Sequence, residues 1–162
     1  MSAKLAKVRM LRTAASADPT SFLDDYLPYL LGHASEVMNK DFDRFVKAAG
    51  LSPVEWRTLA SLERTDGLTI GALCRIVVAQ QPTVTKAIKR LDEIGLVERS
   101  GDADDLRKTR VFMTARGVAR ARQLEQAARA HEADLLRHVS ATQVRALKEA
   151  LRVILTRRAP MS

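Results

Sequence analysis

Apolar residues recur at three- and four-residue steps along most of this 162-residue chain, the spacing of one buried helix face. Leu27, Leu30, Leu31, Ala34, Val37, Met38, Phe42, Phe45 and Val46 predict an amphipathic helix from about Leu27 to Ala49. Pro28 suits its first turn and Gly50 is placed to end it. Ser52-Pro53-Val54-Glu55 has the form of a capping box with proline at the first helical position. It opens a second helix that carries Trp56, Leu59 and Leu62 and fades near Asp66-Gly67. Thr69 caps a third, short helix to about Val77, and a fourth starts after Gln80-Gln81 and ends at Gly95. The period then changes. LVERS and TRVFMT are alternating or β-branched runs joined by the polar DADDLRK, which predicts a two-stranded hairpin. Thr114 caps a long helix from about Ala115 to His138, interrupted only by Gly117 near its start. Ser140-Ala141-Thr142-Gln143 is a second capping box, and a last helix runs to about Arg157 with Val144, Leu147, Leu151 and Ile154 at helical spacing.

The expected fold is therefore mainly α: four helices, a hairpin and two helices. Two strands do not make an independent sheet, so the hairpin must lean on helices. The first and last helices carry apolar stripes longer than a small core can cover, and a second copy of the chain would cover them. The expected division is an N-terminal arm over 1–20, a compact lobe over 51–114, and dimerisation helices over 21–50 and 115–158.

Composition narrows the partners. Hydrophobic residues make up 46% of the chain, enough for a core, while aromatics at 4% are few for a β-sandwich. The net charge of +8 suits either solubility or a polyanionic partner. The segment 80–110 is nearly neutral, with seven basic and six acidic residues, so its meaning depends on where its charges point. The excess sits largely at the two ends of the chain. Cys74 is the only cysteine, which excludes an intrachain disulfide and fits a reducing, cytoplasmic setting. No apolar run approaches membrane-spanning length, so no membrane partner is expected. The opening MSAKLAKVRMLRTAASADP is basic without a sustained apolar stretch and reads as an arm rather than a signal peptide. Catalysis is not expected, since no paired-carboxylate site, phosphate-binding glycine loop or nucleophile elbow is present. His33, His131 and His138 form no metal-ligand motif, so neither a metal nor a cofactor is expected.

The most informative stretch runs from Thr69 to Gly117. On a helix over 82–94, Val84, Ala87, Ile88, Leu91 and Ile94 share one face and must pack inward. Pro82, Thr83, Lys86, Lys89 and Arg90 fall opposite, with Gln81 at the start and Thr85 on a flank. Asp92 and Glu93 come only in the last turn. A helix that enters a DNA major groove contacts base edges with its N-terminal part. Lys and Arg meet phosphates or guanine there, Thr meets a thymine methyl or a phosphate, and the helix N-terminus favours a phosphate. Charges on one face also suit plain solvation. The short helix before and the hairpin after shift the balance towards a winged helix-turn-helix that binds duplex DNA. In the hairpin, Asp105 is placed to hold Arg107 by a charge-assisted hydrogen bond, for a minor-groove contact, beside Lys108. A self-compensating, solubilising hairpin is the alternative.

The pieces LTIGALCRIV, QQPTVTKAIKRLDEIGLVER and GDADDLRKTRVFMTARG together resemble the winged helix-turn-helix of the MarR family, the multiple-antibiotic-resistance-type regulators. With the flanking helices, the resemblance covers about residues 25–157. The family's wing usually reads Asp-Arg-Arg. Asp105 and Arg107 match it, Leu106 departs, and Lys108 stands ready as the substitute cation. The resemblance implies a homodimer built from the N- and C-terminal helices. It also implies a pseudo-palindromic operator read by two recognition helices in successive major grooves, and release by a small ligand, hence a repressor.

In the family the ligand often sits between dimerisation helices and DNA-binding lobe, which here singles out Tyr29, His33, Trp56, Arg57 and Leu59. Trp56 and Leu59 would give an apolar wall and Arg57 a bidentate carboxylate partner. Trp56 also suits a core position, His33 an interhelical one, and Arg57 plain exposure. LPYLLGHASEVMNKDF resembles members that control the catabolism of aromatic or hydroxycinnamic acids, which implies an aromatic acid or its coenzyme A thioester as effector. Two other functions compete. One is a redox sensor working through Cys74, although Arg75 points about 100° away on a helix and a packing role for the thiol is favoured. The other is a winged-helix protein-interaction module without specific DNA binding.

Overall fold

The computed structural model describes residues 21–101 and 109–157. In chain order the elements are α1 (Phe22–Asp25), α2 (Leu27–Ala48), α3 (Pro53–Leu62), β1 (Leu68–Thr69), α4 (Ile70–Val77), α5 (Gln81–Glu93), β2 (Val97–Gly101), β3 (Thr109–Met113), α6 (Ala115–Leu135) and α7 (Ala141–Arg157). The chain divides after Val37 into two compact units, with α2 running through the boundary.

In the first unit, Ser21 and Asp24 form a capping box around the single turn of α1, too short for periodicity to reveal. Phe22 and Tyr26 stack at 4.8 Å, and Tyr29 and His33 meet at 5.9 Å on α2. The large apolar side chains here stay exposed, including Phe22, Leu27 and Leu30.

The second unit holds the core. Phe42 and Val46 from α2, Leu59 and Leu62 from α3, Leu73 from α4 and Val84, Ile88 and Leu91 from α5 are all buried together. Val97, Val111, Ala121 and Leu124 close the cluster from the hairpin and α6. The second half of α2 and the first half of α6, assigned from sequence to dimerisation, thus also pack the lobe. Ser52 and Glu55 make the expected reciprocal box, Ser52 N–H donating to Glu55 Oε2 at 2.7 Å and Glu55 N–H to Ser52 Oγ at 3.2 Å. Thr69 and Thr114 cap α4 and α6 as expected. The long α6 stops at Leu135, three residues before the expected end, where the bonding tightens to i−3, Arg137 N–H donating to Asp134 O and Val139 N–H to Leu136 O. On its surface Glu125 is held below the usual carboxylate range, first by the hydrogen bond from Arg129, and the same bond raises Arg129.

The sheet has three strands in the order β1-β3-β2, all antiparallel, not the two expected. Leu68 and Thr69 pair with Val111 and Arg110. A two-residue strand leaves no alternation to read, and Thr69 already serves as the α4 cap. The extra strand ties the hairpin to the start of the helix-turn-helix, which answers the need for support.

The start of α6 is locked to the end of the α5–β2 connection. The Thr114 hydroxyl donates to Gly95 O at 2.8 Å, and the Thr114 N–H to Leu96 O at 3.2 Å. The Gly117 N–H donates to Thr114 Oγ1 at 3.0 Å. A methyl group on Gly117 would overlap the Leu96 carbonyl, so the glycine interrupting the helix pattern is there for backbone contact. Gly117→Ala is expected to destabilise the fold by about 3 kcal/mol through overpacking. Urea unfolding of the two proteins checks this, and an unchanged midpoint would contradict it.

Candidate nucleic-acid interface

Helix α5 is oriented as its sequence requires. Val84, Ala87, Ile88 and Leu91 are buried against the core, and Ile94 packs partly against it. Gln81, Pro82, Thr83, Thr85, Lys86 and Lys89 are all exposed. Five of them, Gln81, Pro82, Thr85, Lys86 and Lys89, line one shallow surface hollow of about 470 Å³. Thr83 is exposed at the helix start but does not line that hollow. Lys89 lies 3.9 Å from Glu93, one turn on, while both remain largely exposed, so this contact constrains the ammonium weakly.

The N-terminus of α5 differs from those of its neighbours. Serine or threonine side chains cap α3, α4 and α6, whereas Gln80 makes no side-chain cap bond on α5. Pro82 has no N–H, and the Thr83 and Val84 N–H groups donate to Gln80 O at 3.0 and 3.1 Å, so backbone rather than a side chain closes this first turn.

Arg90 is exposed as well, but the lobe also engages it. Its guanidinium donates to Gly50 O at 3.1 Å and lies 3.4 Å from Glu55 Oε1. The Glu55 side chain is 6% exposed, so the arginine neutralises a nearly buried acid that is also spent on capping α3. The helical period places Arg90 near Lys86 and Lys89, but its long side chain follows the buried charge instead. Arg99 of β2 similarly binds Asp92 in the last turn of α5, at 2.7 Å from Nη2 and 2.8 Å from Nε. The acid that ends α5 is thereby turned to holding the hairpin. Arg110 of β3 reaches back to Asp66 O and Gly67 O, each at 3.1 Å, and fastens the hairpin to the turn before β1. The wing residues Asp105, Arg107 and Lys108, with Leu106, lie outside the described residues.

The turn between α4 and α5 carries strain. Val78 has φ 55° and ψ 53°, left-handed values that a β-branched residue rarely takes, and its side chain is 87% exposed. Its N–H, with that of Ala79, returns to Cys74 O and ends α4. Cys74 itself is half-buried and packs against the core, while Arg75 is exposed.

The residues singled out for a ligand have different surroundings. Tyr29 and His33 belong to the unit that ends at Val37. In the other unit Leu59 is fully buried within the core, where it cannot wall an open cleft. Trp56 meets the Phe42 ring edge-on at 5.9 Å, and Phe42 stacks on His131 at 5.6 Å. Arg57 is exposed. Reading the sequence missed Arg116 and Arg120 of α6, which join Arg90 around a separate cavity of about 520 Å³. Their four-residue spacing puts them on one helix face, but no local signal tells what that face meets. Among the described residues, no cluster of three or more His, Cys, Asp and Glu is placed to hold a metal, and no helix is long and apolar enough to cross a membrane.

A short helix, a three-residue turn, an outward-charged second helix and a β hairpin fastened behind it define the winged helix-turn-helix class of DNA-binding domain. The sequence model of the MarR family matches residues 49–108, which run from the α2–α3 connection through β2 and stop before β3. A solved MarR family transcriptional regulator from Silicibacter pomeroyi is 36% identical, with a TM-score of 0.73 over 84% of this chain and 97% of that one. An HTH-type transcriptional repressor of Mycobacterium tuberculosis is 28% identical over 128 residues, 79% of this chain and 92% of its own length. The transcriptional activatory protein BadR of Rhodopseudomonas palustris is 30% identical over 116 residues, 70% of this chain and 66% of its own. The chain belongs to the MarR family. It is a transcription regulator, not an enzyme.

Val78→Gly removes the left-handed penalty and only an exposed side chain. It is expected to stabilise the protein by up to about 1 kcal/mol despite the looser unfolded chain. Thermal unfolding would show a raised midpoint, and a lowered one would mean that the valine side chain is held by contacts of its own.

Proposed function

We propose that this protein is a homodimeric repressor that reads a pseudo-palindromic operator with α5 and leaves it when a small aromatic acid, or its coenzyme A thioester, binds. The observation that carries the DNA reading is the composition of the α5 surface. Its hollow collects two lysines, a threonine, a glutamine and a proline beside a helix N-terminus without a side-chain cap. Hydroxyl and amide groups suit base edges, and the ammonium groups suit phosphates or guanine. Thr83, Thr85, Lys86 and Lys89 are the major-groove and phosphate contacts in this reading. Arg90 serves as a brace rather than a reader. Arg107, oriented by Asp105 and helped by Lys108, enters the minor groove.

Dimerisation is supported by the apolar side chains left uncovered at both ends. Leu147, Val153, Ile154 and Leu155 of α7 are exposed, as are Phe22, Leu27 and Leu30 near the start of the described chain. Exposed large apolar side chains gathered on a helix mark an interface. In a symmetric dimer it would hold two α5 helices at a fixed separation, which is what a palindrome requires. The effector reading rests on the family resemblance and on the need for a ligand to favour one of two arrangements.

The DNA reading is tested with duplexes selected by the protein from a random pool. Affinity is expected to fall steeply with salt, and Lys86→Ala to weaken binding and reduce the salt slope by about one unit per site if Lys86 meets a phosphate. If Lys86 reads a base instead, the cost is about 1–3 kcal/mol with relaxed preference at one position. Affinity that is flat in salt and unchanged in Lys86→Ala contradicts the proposal.

A further inference from the structure

The hollow on α5 has a form that its charges alone do not explain. Gln81, Thr85 and Lys89 stand four residues apart in one row of the helix surface, and Pro82 and Lys86 stand four apart in the next. Pro82 and Thr85 are neighbours three residues apart and carry the two shortest side chains of the five. They form the floor between the longer glutamine and lysines. The exposed lining is mainly carbon. Pro82 supplies a ring without an N–H, and Thr85 a methyl group on a β-branched carbon of restricted rotation. The hydroxyls of Thr58 and Thr156 donate to the carbonyl four residues back, whereas that of Thr85 makes no hydrogen bond with the described residues. Either end of the Thr85 side chain is therefore free to meet DNA. No acidic side chain lines the hollow, and Lys86 makes no ion pair with the described residues.

We propose that the Pro82–Thr85 floor takes the C5 methyl group of one pyrimidine in each half of the operator, which in unmodified DNA is thymine. The thymine methyl is the apolar group among the marks that distinguish bases in the major groove; the others are hydrogen-bond donors and acceptors. A carbon floor cannot replace the water that a donor or acceptor loses on burial, so it favours the methyl. Lys86 and Lys89 at the rim meet the flanking phosphates, which position the helix without selecting a base. A hollow of about 470 Å³ is wider than a methyl group and admits the edge of the base that carries it. 5-Methylcytosine bears its methyl at the same ring carbon, so the floor also makes binding responsive to cytosine methylation at that position. The inference rests on the DNA reading above and names the base that the α5 surface selects.

The test uses duplexes selected by the protein from a random pool, with deoxyuridine replacing thymine at one symmetry-related pair of positions at a time. One pair is expected to lose about fourfold in affinity for each methyl removed, and the other pairs to change little. This readout needs no variant protein. With C·G in place of T·A at the sensitive pair, 5-methylcytosine is expected to bind more tightly than cytosine. Thr85→Ser removes the side-chain methyl and keeps the hydroxyl, and Thr85→Val does the reverse. The serine variant is expected to lose most of the preference for thymine over uracil and the valine variant to keep it. Both should melt near the wild-type temperature and keep its salt slope, since position 85 is exposed. Uracil tolerated at every pair overturns the proposal, as do selected duplexes that share no thymine and equal binding of cytosine and 5-methylcytosine. A serine variant that keeps the preference, or a valine variant that loses it, overturns it too. In each of these outcomes, binding that is still selective and falls with salt leaves the DNA reading standing. Binding that is flat in salt and indifferent to sequence contradicts the DNA reading, and the methyl contact with it.

Discussion

The helix-turn-helix, the hairpin and the long helix are joined at one close backbone approach, where the first turn of α6 meets the start of β2. Gly117 lies against the Leu96 carbonyl with no room for a methyl group. Thr114 bonds to Gly95 O with its hydroxyl and to Leu96 O with its N–H, and its hydroxyl oxygen also takes the Gly117 N–H. One threonine thus caps α6 and closes the base of the hairpin onto the α5–β2 connection. Recognition helix, wing and long helix meet within a few residues. A displacement of α6 must move α5 and β2 with it, because interiors packed this tightly do not deform continuously. In the proposed dimer, that makes the junction the path by which a change at α6 would reach DNA.

A second constraint works from the other side of α5. Glu55 is nearly buried and serves two masters, the Ser52 amide that it caps and the Arg90 guanidinium beside it. Burying a carboxylate is costly unless it is paired, so Arg90, with its side chain still 55% exposed, is held to Glu55. The α5 surface is left to Gln81, Thr83, Thr85, Lys86 and Lys89, which carry no comparable structural duty. Separate side chains therefore hold the helix and, in the proposed reading, meet DNA. The same economy appears at Asp92, whose charge would repel DNA but is neutralised by Arg99 while fastening β2.

Helices and caps were legible in the sequence because they are local. Ser52, Thr69, Thr114 and Ser140 each announce a start within three residues, and the apolar face of α5 is complete within four turns. Strand β1 was not legible, since two residues show no period and their partner lies about forty residues on. The fate of Arg90 was hidden for the same reason, as its partner Glu55 is remote in sequence and conspicuous only as a cap. The single tryptophan illustrates the limit from another direction. Trp56 suits an apolar wall or a core equally well on paper, and in the fold it is half-buried, edge-on to the Phe42 ring that also stacks on His131. The arginine cavity needed three segments to converge, which no spacing rule encodes.

The central claim is that the outer face of α5 lies against DNA bases. Its most direct measurement is photo-crosslinking from a reactive side chain placed at position 85, and separately at position 154 of α7, to duplexes selected by the protein. The account predicts crosslinks from position 85 to bases at symmetry-related places in the two halves of the duplex, and none from position 154. Crosslinks from position 154 alone, with none from position 85, would contradict it.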